Sequence, residues 1–248
     1  MLDETRSTGV YGPYTQSMRK EIYQTYCKDL VKRGLAYPCF CSSEELDQTR
    51  KVQEANKQNP GYYGEFAKCR SLTFEKIEEN IKAGKPYVLR LKSPGSEDKR
   101  VSFDDAIKGT IEMPENVQDV VILKKNDLPT YHFAHVVDDH FMHTGYVVRG
   151  EEWMASLPIH VQLFEAMGWE HPVYCHNTSL MKIDETTGQK RKLSKRKGDP
   201  SFEDLLDQGY LAEAIVNYVA LLGWSPRGEL AEREFFTLPE LAEVFDIA

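Results

Sequence analysis

Five consecutive residues, Lys192-Leu193-Ser194-Lys195-Arg196, set two lysines three positions apart around a small serine. Ammonium groups at that spacing can converge on one phosphate, and the serine lets the backbone come close to it. Between 182 and 197 there are seven cations (Lys182, Lys190, Arg191, Lys192, Lys195, Arg196, Lys197) against two acids (Asp184, Glu185), a local charge of +5. The whole chain carries −8. A concentrated positive patch in an acidic protein suits a polyanion that docks at one place, and a solvated lysine-rich loop is the plain alternative.

The elements around this loop-like segment read as an α/β chain. Apolar residues Ile22, Tyr23, Tyr26, Leu30 and Val31 recur at helical spacing over 17–32, with Gly34 as the stop. A short strand is expected over 36–41. Ser42 and Glu45 then form a capping box that opens a helix running to about residue 55, and Asn59-Pro60-Gly61 breaks the pattern. A helix over 73–83 and strands over 87–91 and 101–103 follow. From 117 onward the order is strand (117–123), helix (130–142), strand (146–149), helix (158–167), strand (173–175), the alternation of a doubly wound sheet. Two helices, 202–207 and 212–222, come after the basic segment. In an open α/β sheet, ligands sit beyond the C-terminal strand ends. Arg149 ends one strand, and the chain after Cys175 runs into the basic motif, so both belong to one ligand edge.

Length and composition narrow the classes. With 248 residues, 41% hydrophobic and 28% charged, the chain is long enough for one large or two modest domains and is not a disordered one. No uncharged apolar run approaches the length of a membrane span, and the first residues have no apolar core of the signal-peptide kind. Five unevenly spaced cysteines argue against a disulfide framework and for a reducing, cytoplasmic compartment.

The basic motif resembles the K-M-S-K-S loop of class I aminoacyl-tRNA synthetases, in the form found in glutamyl enzymes. Further segments resemble bacterial glutamyl-tRNA synthetases in the same order: Gly12-Pro13-Tyr14-Thr15-Gln16-Ser17, Pro129-Thr130-Tyr131-His132-Phe133-Ala134, Val136-Val137-Asp138-Asp139-His140, Val148-Arg149-Gly150-Glu151-Glu152-Trp153 and Pro158-Ile159-His160. The resemblance implies a partial Rossmann-like nucleotide-binding fold with an α+β insertion. Residues 1–36 would end its first half and 37–115 would be the insertion that grips the tRNA acceptor end. Residues 116–197 would form its second half with the basic loop, and 198–248 a helical stem-contact region. The family's His-x-Gly-His signature does not occur in the sequence, and no anticodon-binding domain is expected within it. The chain should therefore be inactive alone.

The implied activity is glutamate–tRNA ligation: glutamate's carboxylate attacks the α-phosphate of ATP, and the acyl group then passes to tRNA(Glu). Lys192, Ser194, Lys195 and Arg196 would carry the phosphate chemistry with Mg²⁺, and Glu152, Met181, Lys192 and Lys195 would bind ATP. Tyr131, His135 and Arg149 would hold glutamate, the last by matching its guanidinium fork to a carboxylate. Other readings stay open: Arg149 as an ion pair to Asp138 or Asp139, Tyr131 as a core tyrosine, Met181 as core filler. His135 stands where glutaminyl enzymes carry histidine, which opens tRNA(Gln) as a second acceptor. Cys39, Cys41 and Cys69 fall in the insertion, where some members bind zinc. Tyr62 and Tyr63 are the candidates for a fourth ligand, and ordinary half-buried thiols are the alternative. A monomer whose RNA binding weakens steeply with salt is expected. The rival functions are a tRNA-binding module without catalysis and a transferase that puts glutamate on a modified tRNA base.

Overall fold

The computed structural model describes residues 9–184 and 186–246, with every side chain among them except that of Lys195. The chain forms two compact units. The first takes residues up to 103, 110–147 and 155–173, and the second takes 104–109, 148–154 and the chain from 174 onward.

In chain order the elements are α1 (Lys20–Lys32), β1 (Ala36–Cys39), α2 (Ser43–Ala55), α3 (Phe74–Lys82), β2 (Val88–Leu91), β3 (Arg100–Asp105), β4 (Gly109–Pro114) and β5 (Val121–Leu123). They continue with α4 (Tyr131–Phe141), β6 (Tyr146–Gly150), α5 (Leu157–Met167), β7 (Val173–Asn177), β8 (Met181–Ile183), β9 (Lys190–Lys192), α6 (Phe202–Asp207), α7 (Ala212–Gly223) and α8 (Leu238–Val244). Among the described residues no helix is long and apolar enough to cross a membrane.

The core of the first unit is built by α1, α4 and α5 against β5. Tyr23, Cys27 and Leu30 recur every three to four residues on α1, so one face of the helix is fully buried. Helix α5 is buried almost all round and stops at Gly168, whose left-handed backbone (φ 73°) closes the last turn. Arg19 is buried with the core. Its Nε donates to Asp138 at 2.7 Å, and Tyr23 Oη donates to the same carboxylate at 2.7 Å. Burial, and after it Asp138, pushes the Tyr23 phenol far up, so it stays a donor.

A second polar node ties Tyr37, Arg70, Arg90 and Ser93 to one residue. Asp119, fully buried, accepts from Tyr37 Oη (2.5 Å), Arg70 Nη1 (2.6 Å) and the backbone N–H of Ser93 (2.8 Å). Its own carbonyl accepts from Arg90 Nη1 at 2.8 Å. A buried carboxylate is tolerable only with such a set of donors.

The elements follow the sequence pattern closely, and the Ser42–Glu45 capping box is present with both of its bonds. Strand grouping differs from expectation. The three strands read as one doubly wound sheet are shared between two sheets: β5 joins β1 and β2 in the antiparallel order β1-β2-β5, whereas β6 and β7 belong to the order β4-β3-β7-β6. In the latter, β3 and β7 run parallel at Asp105 and Tyr174. The open edge of β2 offers backbone groups that must be paired, and the neighbouring β5 takes them. The basic segment, expected as a loop, is partly a hairpin. β8 and β9 pair antiparallel with Met181 opposite Lys192, Lys182 opposite Arg191 and Ile183 opposite Lys190.

Candidate active site

The hairpin exists because its turn is capped and its charges are answered. Asp184 Oδ1 accepts the backbone N–H groups of Thr186 and Thr187, each at 3.0 Å, and Gly188 supplies a left-handed residue (φ 67°). Beyond the hairpin, the chain turns at Lys195–Lys197 and reaches Asp199. Asp199 is buried and gathers the segment around itself. Arg191 grips it with both terminal nitrogens, Lys182 Nζ lies 2.7 Å away, and the backbone N–H of Ser194 donates at 2.7 Å. Hydrogen bonds from Arg191 and then Lys182 hold the Asp199 carboxyl well below the ordinary carboxylate range.

This corrects the simple picture of a uniformly cationic loop. Lys182 and Arg191 are structural, spent on Asp199 and, for Arg191, also on Asp184 at 3.1 Å. The Ser194 backbone N–H faces Asp199 rather than standing open for a phosphate. Lys192 Nζ pairs with Glu152 Oε1, whose other oxygen accepts from Ser179 Oγ at 3.3 Å. The Lys192 bond holds the Glu152 carboxyl below its usual range. Two residues expected to meet ATP are therefore joined to each other. The backbone at Gly150 suits this arrangement, since a Cβ there would run into the Glu152 carboxyl group. Met181, half exposed on β8, is not core filler. The Lys195 side chain lies outside the described residues.

Arg149, at the end of β6, donates from Nε to His176 Nε2 at 3.0 Å, and its Cζ sits 5.1 Å from the centre of the Tyr174 ring. His176 Nδ1 is 2.6 Å from Asp105 Oδ2. Asp105 and His176 are both buried. Of the acids expected as partners for Arg149, Asp138 is engaged by Arg19 and Tyr23. Asp139 Oδ2 lies 2.8 Å from His135 Nδ1, out of hydrogen-bond alignment.

Tyr131 and His135 fall in the first unit. Tyr131 is 46% exposed, so it is not a core tyrosine, and it stacks on the His135 ring at 5.9 Å. His160, fully buried on α5, supports this face: its ring centre is 4.3 Å from that of His135, and its Nε2 is 3.0 Å from His132 Nδ1. Sequence reasoning missed His132 and His160 as a pair. A polar residue repeated on the α4 face and a histidine inside the mostly buried α5 were the signal.

Cys39, Cys41 and Cys69 come together. Their sulfurs all lie within 4.8 Å of one another, with Cys41 Sγ 3.7 Å from Cys69 Sγ. Tyr62 completes the group: its hydroxyl is 3.4 Å from Cys39 Sγ and 3.3 Å from Cys41 Sγ, and it accepts the Cys69 backbone N–H at 3.0 Å. The hydrogen bond from Cys69 draws the Cys39 thiol down to about 4, and the same contact pushes Cys69 up. Three soft sulfurs and a phenol converging on one point fit a tetrahedral zinc ion, so Tyr62 rather than Tyr63 is the matching fourth donor. All five cysteines are free thiols.

Comparison with known proteins places the chain in a family. Residues 2–248 match the family of tRNA synthetases class I (E and Q), catalytic domain. The chain is 54% identical over 224 residues to a glutamate–tRNA ligase of Clostridium beijerinckii, an alignment that covers 90% of this chain and 38% of that one. It is 53% identical over 214 residues to a glutamate–tRNA ligase of Acetivibrio thermocellus, covering 86% and 39%. A crystal structure of a glutamate tRNA ligase from Elizabethkingia meningosepticum, in complex with its amino acid, superposes with a TM-score of 0.84 at 36% identity, covering 96% of this chain and 50% of that one. The chain thus spans about two-fifths of the length of these curated relatives.

Proposed function

Because the chain belongs to the catalytic-domain family of class I synthetases for glutamate and glutamine, with the α/β fold of that family, we propose that it carries the later part of the catalytic region of a glutamate–tRNA ligase. The reaction is activation of glutamate by ATP to glutamyl-adenylate, with loss of pyrophosphate, and transfer of the acyl group to tRNA(Glu). The observation that carries this reading is the basic segment itself, folded as a hairpin and turn whose frame is clamped by the buried Asp199. Such a frame is what phosphoryl-centre chemistry requires, because in-line displacement needs positioned charge more than covalent help.

In this reading Lys192, Lys195 and Arg196 neutralise charge that builds on the phosphates, and Ser194 shapes the turn. Mg²⁺ carried on the phosphates supplies further charge neutralisation. Glu152 and Met181 border the adenosine, and ATP exchanges its own contacts for the Lys192–Glu152 pair. Arg149 holds a glutamate carboxylate, with Tyr131 and His135 as the other glutamate-binding residues. Residues 37–115 form the acceptor-end insertion and 198–248 the stem-contact region. Such an enzyme works in the cytoplasm as a monomer, and the histidine at 135 keeps tRNA(Gln) as an alternative acceptor. Replacement of Lys195 by alanine in the full-length protein is expected to lower ATP–pyrophosphate exchange by about 10²-fold or more while tRNA affinity stays within about twofold. Intact exchange with lost tRNA binding would overturn the assignment.

Cys39, Cys41, Cys69 and Tyr62 would hold a structural zinc ion, which crosslinks β1 to the turn at Lys68–Ser71. Elemental analysis of purified protein should then find about one zinc per chain, and a strong chelator should lower the melting temperature. Cys41→Ser should lose the metal and match the chelated protein. Metal-free protein whose melting is indifferent to added zinc would remove this site.

A further inference from the structure

From the chain of contacts behind Arg149, we infer that Asp105 and His176 are positioning residues for glutamate recognition. They act through Arg149 and touch no substrate. The inference rests on the reading that Arg149 holds a glutamate carboxylate.

Asp105 is buried at the end of β3, and its carboxylate accepts four N–H groups. Oδ1 takes the backbone N–H of Ile107 at 3.0 Å and of Lys108 at 2.9 Å, while Oδ2 takes the backbone N–H of His176 at 3.1 Å and its Nδ1 at 2.6 Å. Burial by itself pushes the Asp105 carboxyl up, but the His176 bond and the backbone bonds together hold it below the ordinary range. It therefore stays an anion inside the protein. An anion at Nδ1 fixes the proton of a neutral imidazole on that nitrogen, and Nε2 is left as an acceptor. That acceptor takes the Arg149 Nε–H at 3.0 Å. The opposite tautomer would set N–H against N–H, and a charged imidazole would set cation against cation.

The consequence for recognition is geometric. A guanidinium binds a carboxylate in two-pronged fashion either side-on, through Nε and one Nη, or end-on, through both Nη groups. His176 takes Nε, which removes the side-on mode. The Tyr174 ring lies beneath the guanidinium, its centre 5.1 Å from Cζ. Arg149 is thereby held in one orientation with the side-on mode closed. Three strand ends, from β3, β6 and β7, thus meet to aim one side chain.

The test compares glutamate KM and saturated rate in ATP–pyrophosphate exchange for the full-length protein and its variants. His176→Phe keeps the ring shape and loses the acceptor. Its glutamate KM is expected to rise about tenfold or more, with the saturated rate within about threefold. In His176→Gln the amide oxygen can accept the same N–H, so KM should return to within about threefold of wild type. Equal KM values for the two variants would overturn the inference and leave His176 a packing residue. Arg149→Ala separates the two levels. If it leaves KM unchanged, the reading of Arg149 fails. If it raises KM while His176→Phe does not, only the present inference fails. Should the variants not fold, nitrogen-15 spectra of histidine-labelled wild-type protein still decide. A neutral His176 protonated on Nδ1 is expected, and one protonated on Nε2 overturns the proposal.

Discussion

Asp199→Ala should reduce ATP–pyrophosphate exchange in the full-length protein by about 10²-fold, as much as loss of a lysine that touches the phosphates. Asp199 contacts the loop at three independent points: the guanidinium of Arg191, the ammonium of Lys182 and the backbone N–H of Ser194. Removing it frees two cations to repel the rest of the segment and releases the backbone between Lys192 and Lys195. A displacement of about 1 Å in the charges that line the phosphates is enough for an effect of this size. Asp199→Asn, which keeps one acceptor oxygen, should lie between the alanine variant and wild type. Exchange within about threefold of wild type for the alanine variant would show that the loop holds its shape without the node. The pH profile follows with a definite sign. Asp199 is depressed in the folded state, so its stabilising contribution is complete above the ordinary carboxylate value of about 4 and is lost only as pH falls through the depressed folded value. Loss of activity between about pH 6 and 5 should therefore be the same in wild type and Asp199→Asn.

The second large effect is on stability. Asp119→Ala should lower the free energy of unfolding by about 3–5 kcal/mol, the usual cost of breaking a buried ion pair from one side. The substitution strands the Tyr37 hydroxyl, the Arg70 guanidinium and the Ser93 N–H, all of which now end on one fully buried carboxylate. Burial, with Asp119 next, pushes the Tyr37 phenol far up, so it cannot relieve the loss by ionising. Urea denaturation, monitored by tyrosine and tryptophan fluorescence, gives the measurement. The exposed pair Arg50–Glu54 is the control: Glu54→Ala should leave the urea midpoint nearly unchanged. Similar midpoints for the two variants would mean that the Asp119 node is replaced by water without penalty.

What the sequence made legible was local. A serine three residues ahead of a glutamate marked the start of α2, Gly168 marked the end of α5, and the lysine–serine–lysine spacing marked the basic segment. The β8–β9 hairpin was hidden because Lys190-Arg191-Lys192 has the composition of a solvated loop, and only acids elsewhere make it a strand. Asp199 lies two positions beyond Lys197, the last of the clustered cations. Asp105 is 71 residues from His176, and Asp119 is 82 from Tyr37. At such separations no periodicity or spacing signals a contact. The cysteines are an intermediate case: C-x-C was plain, but the choice of Tyr62 over Tyr63 needed the fold, since adjacent residues differ only in which side of the chain they face. The grouping of strands is hidden for a related reason. Alternating strand and helix fixes neither the partner of each strand nor its direction.

The second unit is assembled from three separate passages of chain, 104–109, 148–154 and 174 onward. Joining distant passages costs loop-closure entropy before any contact repays it, so such regions form late in folding. A nascent chain emerging from the ribosome already holds all of Tyr23, Asp119 and Asp138 when Asp199 is still unsynthesised. The first unit therefore has a head start, and the segment read here as phosphate-handling closes last, onto strand ends already in place. Translation order makes Glu152 before Lys192 and Asp199 after every cation of the segment, so the segment is gathered only once residue 199 has been added.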